Sequence, residues 1–240
     1  MFITAVIGSP HRNGNTALLA REVLKGAQER GAETREIFLP DYRIEYCRGC
    51  IGKINTFCLS TGYCNIDDDV NDLRAILLKS DGIVYASPSY GIMPTAMMKN
   101  FIVDRTGMYI AYTSAFAGKY FVGVSTCGGI GASKVAKELA YSYTAGFHAN
   151  AHTTGFLGVK VGQKKIDDFP AEINKAYKLG EKLANDIRKN KKYPFQKLFD
   201  KFLIKIMIRK VILNNIYSNK DGIMKAVYNN LVQRKLISEI

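Results

Sequence analysis

The chain opens on an apolar run, Phe2-Ile3-Thr4-Ala5-Val6-Ile7, that passes directly into Gly8-Ser9-Pro10-His11-Arg12-Asn13-Gly14-Asn15-Thr16. The residues that follow place Ala17, Leu18, Ala20, Val23, Leu24 and Ala27 at helical spacing. A strand buried on both faces reads as such an uninterrupted run, which commits the chain to an α/β architecture with a parallel sheet. The loop then ends at a helix N-terminus, where N–H groups and the positive dipole end favour an anion. It is not a triphosphate loop, because no Lys precedes Thr16, and its two glycines, Gly8 and Gly14, lack the dinucleotide spacing. A single phosphate is the anion that fits; an ordinary βα turn with polar filler is the alternative.

Strand and helix patterns alternate from there. Gly31 ends the first helix, Thr34 to Leu39 is a second strand, and a cysteine-rich loop covers 40–66. Asp67, Asp68 and Asp69 suit the start of a helix carrying Val70, Leu73, Ile76 and Leu77. Gly82 to Ala86 is a third strand, Tyr120 to Ser125 a fourth and His152 to Leu157 a fifth, with helices opening near Pro94, Ser133 and Pro170. Five βα units imply a doubly wound five-stranded parallel sheet, helices on both faces, in the 2-1-3-4-5 order of the flavodoxin-like fold. Ligands of such sheets sit at the carboxyl ends of the strands beside the topological switch point. Three loops lie there: Ser9–Thr16, Ser87–Met93 with its Ser87-Pro88-Ser89-Tyr90-Gly91 run, and Thr126–Ala132 with its Thr126-Cys127-Gly128-Gly129-Ile130-Gly131 run.

Length and charge divide the chain. Its 240 residues hold one α/β domain, expected over 1–190, and an appendage over 191–240. Residues 1–190 carry 23 basic and 18 acidic side chains and residues 191–240 carry 11 and 3, so +8 of the net +13 belongs to the last fifth. The main domain is only mildly basic, which argues against a nucleic-acid partner. With no signal core at the start and no long apolar run, the expected location is cytoplasmic. In the tail, Lys197, Lys201, Lys205 and Arg209 are four apart on a helix pattern from Phe195 to Leu213, with a second helix around Asp221 to Lys235. Two readings stand: a basic amphipathic helix on an anionic membrane surface or partner, or a packing element covering the domain or a second copy.

Cys47, Cys50, Cys58 and Cys64 form a C-x2-C-x7-C-x5-C set. Four clustered thiols in a reducing compartment are a metal, cluster or redox set before they are disulfides. A 4Fe–4S cluster, zinc and plain reduced thiols all remain open. Cys127 stands apart, either beside the ligand or as a small residue in a tight loop, and the three histidines form no catalytic or metal constellation.

These motifs together resemble the NADPH-dependent FMN reductase and iron–sulfur flavoprotein group. The likeness rests on Gly8-Ser9-Pro10 with Gly14-Asn15-Thr16, on Cys47-x-x-Cys50 with Gly62-x-Cys64 and Asp67-Asp68, on Ser87-Pro88-Ser89-Tyr90, on Pro94-Thr95 with Lys99-x-Phe101, and on Thr126-Cys127-Gly128-Gly129. It covers 1–190. The resemblance implies FMN, with Ser9, Arg12, Asn15 and Thr16 at the phosphate, Pro88, Ser89, Tyr90 and Gly91 at the isoalloxazine, and Thr126, Cys127, Gly128 and Gly129 near its pyrimidine side. It implies an NAD(P)H-dependent oxidoreductase serving a quinone, flavin or other acceptor, or alternatively an electron-transfer flavoprotein that docks a redox protein, and it implies a homodimer. The iron–sulfur members place their second and third cysteines closer together; here Lys53 stands at that third place, unless an insertion has moved the third cysteine to Cys58. The family's Lys-x-Phe-x-Asp-Arg pattern carries one extra residue in Lys99–Arg105, so Asp104 and Arg105 are assigned no role.

Overall fold

Five parallel strands form where the apolar runs lie: β1 (Phe2–Ile7), β2 (Glu33–Phe38), β3 (Gly82–Ala86), β4 (Tyr120–Cys127) and β5 (His152–Lys160), in the order β2-β1-β3-β4-β5. The computed structural model describes residues 1–50, 53–55 and 57–239; the three undescribed positions inside the chain belong to the cysteine-rich loop. The helices are α1 (Asn15–Gln28), α2 (Cys58–Thr61), α3 (Val70–Lys79), α4 (Ala96–Lys99), α5 (Gly107–Thr113), α6 (Ala132–Tyr141), α7 (Pro170–Arg188), α8 (Leu198–Leu203), α9 (Arg209–Ser218) and α10 (Lys225–Gln233). A π-helical turn, Asn100–Arg105, joins α4 to α5, and another, Ile204–Ile208, joins α8 to α9.

Side chains alternate across a strand, so β1 serves two cores. Ile3, Ala5 and Ile7 meet Leu19 and Val23 of α1 and Leu183 of α7, while Val6 meets Leu73 and Leu77 of α3 on the other side. Each such fully buried aliphatic side chain contributes about 1.5–3 kcal/mol. α1 and α7 touch backbone to backbone: a Cβ on Gly26 would lie 1.9 Å from the Tyr177 carbonyl, and one on Gly180 would lie 1.8 Å from that of Val23. Only glycine fits at that crossing.

β4 and β5 both run beyond their expected ends, to Cys127 and Lys160. Thr126 and Cys127 therefore finish a strand instead of opening a turn. The edge of β5 is covered by the segment after α7, where the Gln196 amide accepts from Thr153 N at 2.9 Å and donates to Thr153 O at 2.6 Å. That side chain takes the place of one strand partner and blunts an otherwise open edge.

The tail splits in two. Ile212 and Ile216 of α9, with Met224, Val227 and Leu231 at and along α10, form a third apolar cluster against Phe57 and Leu59 of the cysteine-rich segment. Arg234 fastens it, donating to the Thr113 and Ser114 carbonyls at 2.8 and 3.0 Å at the end of α5. α8 and the π turn after it bury no residue. Within this chain α9 and α10 thus pack on the cysteine-rich segment, while α8 and the π turn leave their apolar side chains uncovered.

Candidate functional site

The switch point lies between β1 and β3, and the loops leaving both are locked together. Gly8 N donates to Ala86 O at 2.8 Å, and the Thr95 hydroxyl donates to Gly8 O at 2.7 Å while Ser87 Oγ accepts from Thr95 N at 2.9 Å. Thr16, in the first turn of α1, shares a 2.6 Å hydrogen bond with Thr126 at the end of β4. The N-terminus of α1 is capped by no side chain, which leaves its first-turn donors for an anion.

These loops wall an open cleft of about 890 Å³, within the range of small-molecule sites. Ser9, Arg12, Asn15, Thr16, Pro88, Tyr90 and Thr126 all line it. Ser89, Gly91, Cys127, Gly128 and Gly129 are not among its walls. Cys127 is buried where β4 meets Val161, whose N–H donates to its carbonyl at 2.9 Å. Ser89 lies behind the loop, its hydroxyl buried without a partner and its N–H on Thr126 O at 2.9 Å.

Two expected phosphate residues have other engagements. Arg12 pairs with Asp41 and stacks 4.4 Å from the Phe38 ring centroid. Asn15 bridges to the loop after β5, donating to Lys164 O at 3.0 Å and accepting from Ile166 N at 2.9 Å. Through that bridge Lys165 and Asp167 enter the cleft wall, and sequence reasoning missed both. The signal was present, since the fifth strand also ends at this edge.

The Tyr90 ring stands largely exposed at the mouth, 56 % accessible, on a four-residue turn closed by Tyr90 N to Met93 O (2.9 Å) and its reciprocal (3.1 Å). Both central residues, Gly91 at φ 59° and Ile92 at φ 63°, are left-handed. That conformation is strained for a β-branched side chain and tends to persist where surroundings hold it for function.

A second concavity, about 60 Å³, is walled by Cys47, Cys50, Cys58 and Cys64 together with Phe57, Ile66, Asp104, Arg105 and Met108. The loop brings all four thiols to one place even though seven residues separate Cys50 from Cys58. Burial pushes the Cys58 thiol up to about 11, offset in part by Arg74 and reinforced by the three other cysteines. Among the described residues no group of three His, Cys, Asp or Glu side chains is arranged to hold a metal ion.

Behind this pocket is a buried ion pair that sequence reasoning set aside. Arg105 grips Asp68 through two hydrogen bonds, 2.5 and 3.1 Å, with both side chains at most 1 % exposed. Arg105 also donates to Cys64 Sγ at 3.3 Å and to the Glu45 carbonyl. Asp68 accepts from Glu45 N at 2.9 Å and Val70 N at 3.2 Å. Burial opposes ionisation of Asp68, but the Arg105 and backbone hydrogen bonds outweigh it and hold its pKa below the usual range. The extra residue in Lys99–Arg105 is taken up by the π turn Asn100–Arg105, whose wider ring accommodates one inserted residue and returns Arg105 to the pocket. The aspartates stand at the start of α3 as expected, Asp69 at the N-cap position and Asp68 accepting from Val70 N, and they also pin the loop: Asp69 accepts from Arg43 N at 2.7 Å, and Asp67 pairs with the Arg43 side chain.

Comparison with known proteins agrees with this architecture. An iron–sulfur flavoprotein of Archaeoglobus fulgidus is 31 % identical over 186 residues, 77 % of this chain and 79 % of its own. An iron–sulfur flavoprotein of Clostridioides difficile is 24 % identical over 229 residues, 92 % and 95 % of the two chains. Among solved structures, a flavone reductase superposes with a TM-score of 0.58 at 19 % identity, over 78 % of this chain and 63 % of that one, a likeness of fold. The family model of NADPH-dependent FMN reductases matches residues 1–162. The chain belongs to the NADPH-dependent FMN reductase family and is a flavin-dependent oxidoreductase of flavodoxin-like fold.

Proposed function

We propose that this protein oxidises a reduced nicotinamide and passes the electrons to an acceptor, with the large cleft as the place that would hold FMN and Cys47, Cys50, Cys58 and Cys64 as the residues that would hold a 4Fe–4S cluster. The observation that carries the flavin half is the meeting of the uncapped α1 N-terminus with the loops after β1, β3 and β4 in one cleft. The backbone donors of that N-terminus, with the hydroxyls of Ser9 and Thr16, bind the phosphate. Pro88 and Tyr90 flank the ring at the mouth, and Thr126 positions the first turn of α1 through its bond to Thr16. Ser89, Gly91, Cys127, Gly128 and Gly129 act behind this wall, by shaping the turns after β3 and β4. Lys165 adds positive charge beside the phosphate place.

Bound FMN supplies hydride acceptance and onward electron delivery, and a bound cluster supplies single-electron steps. The protein's share is to bind, orient and tune. Cys47, Cys50, Cys58 and Cys64 hold the cluster, with Cys58 replacing the ligand that Lys53 cannot provide. Arg105 offsets the negative charge of the Cys64 thiolate. The named relatives are iron–sulfur flavoproteins, which supports this assignment.

The test is anaerobic mixing of FMN-loaded protein with NADPH or NADH. Bleaching of the flavin band by either nucleotide within seconds is expected; no bleaching by either, at full FMN occupancy, contradicts the proposal. A small-molecule acceptor and a redox-protein acceptor are then separated by whether turnover is fast with a free quinone.

A further inference from the structure

The segment 189–210 has a composition that its position in the fold does not explain. It carries eight basic side chains and one acidic, a net charge of +7 over 22 residues. Its apolar side chains are large and uncovered: Phe195 is 81 % exposed, Phe199 70 % and Met207 65 %, with Leu198, Phe202 and Ile206 all above half. Across α8 and the π turn not one residue is buried, although α9 directly after them buries Ile212 and Ile216. A folded domain gains nothing from six exposed large apolar side chains within the thirteen residues 195–207; such a patch marks an interaction surface.

Charge selects the partner. Lys197, Lys201, Lys205, Arg209 and Lys210 stand on the same roughly four turns as the apolar residues. The groove beside Phe195, about 730 Å³, is lined by Lys137, Lys192 and Lys197. A second copy of this chain laid on that face would bring two strongly positive strips together, which disfavours self-association. An anionic bilayer satisfies both components: phenyl and alkyl groups enter the acyl boundary while lysine stems reach up to the headgroup phosphates. No helix among the described residues is long and apolar enough to cross a membrane, so attachment would be at the surface.

We propose that Phe195–Lys210 is an anchor that lays the protein on anionic lipid. The anchor begins at Phe195, and the next residue, Gln196, is bound to Thr153 near the amino end of β5, at the sheet edge opposite the cleft. Lipid binding therefore leaves FMN uptake unchanged, and the proposal stands independently of the cysteine assignment.

The chain contains no tryptophan, so Phe199→Trp at an exposed position gives a single fluorescent reporter. With phosphatidylcholine vesicles containing phosphatidylglycerol, the emission should shift to the blue and the protein should co-sediment. Both effects should vanish with pure phosphatidylcholine or in high salt. Adding Lys205→Gln and Lys210→Gln should weaken vesicle affinity roughly 30-fold, from two charges each interacting with the surface. FMN uptake by each variant serves as the control for folding. Absence of vesicle binding by folded protein overturns the proposal. So does a blue shift that depends on protein concentration, with a doubled mass in sedimentation equilibrium, because the face is then covered by a second copy.

Discussion

The two concavities of this molecule are built on opposite principles. The large cleft is open, about 890 Å³, and its donors are backbone N–H groups and loop hydroxyls that any chain of this topology presents at the carboxyl edge of its sheet. The cysteine pocket is about 60 Å³, and it exists because distant pieces close it: the Asp68–Arg105 ion pair from one side and the α9–α10 cluster from the other. The first site is a property of the fold; the second is a property of this chain's additions to the fold. A flavin site so built should survive damage to the pocket, and the pocket should be sensitive to changes far from any cysteine.

Breaking the ion pair is the harshest test of that contrast. Arg105→Met leaves Asp68 ionised and buried and should cost about 3–5 kcal/mol, read as a lowered denaturant midpoint. Cysteine-pocket iron should be lost, while FMN binding persists at temperatures where the variant is folded. Equal loss of both ligands would show that the sites are not separable in the way described. Because the native pair keeps the Asp68 pKa depressed, its stabilisation is present above the ordinary aspartate range and disappears as pH falls through the lowered value. Arg105→Met should therefore flatten the acid limb of stability.

On the cleft side, Thr16→Val removes a hydroxyl and strands that of Thr126, a buried group, at about 1–3 kcal/mol. Its expected mark is weaker FMN affinity by equilibrium dialysis, with iron binding unchanged. Tyr90→Ala should act in the same direction and more weakly, since it removes only an aromatic contact worth about 0.5–1.5 kcal/mol. Undiminished flavin retention in both variants would contradict the assignment of the cleft.

The mildest perturbation is in the tail contact. Ile216→Val deletes one buried methylene beneath the pocket, with a stability cost of about 0.5–1.5 kcal/mol. His148, beside Arg209 and Arg234, has its pKa lowered by burial and by those cations to about 4 from an ordinary 6.5. It is held neutral in the fold, so its contribution is present above pH 6.5 and is lost as pH falls toward 4. His148→Gln should reduce the pH dependence of unfolding in that window; an unchanged slope would place the sensitivity elsewhere.

How much of this was legible in the sequence follows the same division. The sheet order, the α1 N-terminus and the Thr16 and Tyr90 positions are local signals, because a βα turn declares itself within about a dozen residues. The Asn15 bridge and the Lys165 and Asp167 wall come from the loop after β5, roughly 150 residues away, and only the topology, by ending β5 at the same edge, points to them. Arg105 was legible as a motif residue displaced by one, but only a π turn explains why the displacement does no harm. The tail's basic stripe was plain; that its apolar residues would be split between a buried half and an exposed half depended on where Phe57 and Leu59 sit.

Loading the protein anaerobically with FMN, iron and sulfide and assaying all three per chain tests the two-site arrangement most directly. One FMN with about four irons and four sulfides, the iron abolished by Cys58→Ser and the flavin untouched, is the predicted result. Full flavin with no iron in the native protein would contradict it, leaving the four cysteines without a cluster and the cleft as the one redox site.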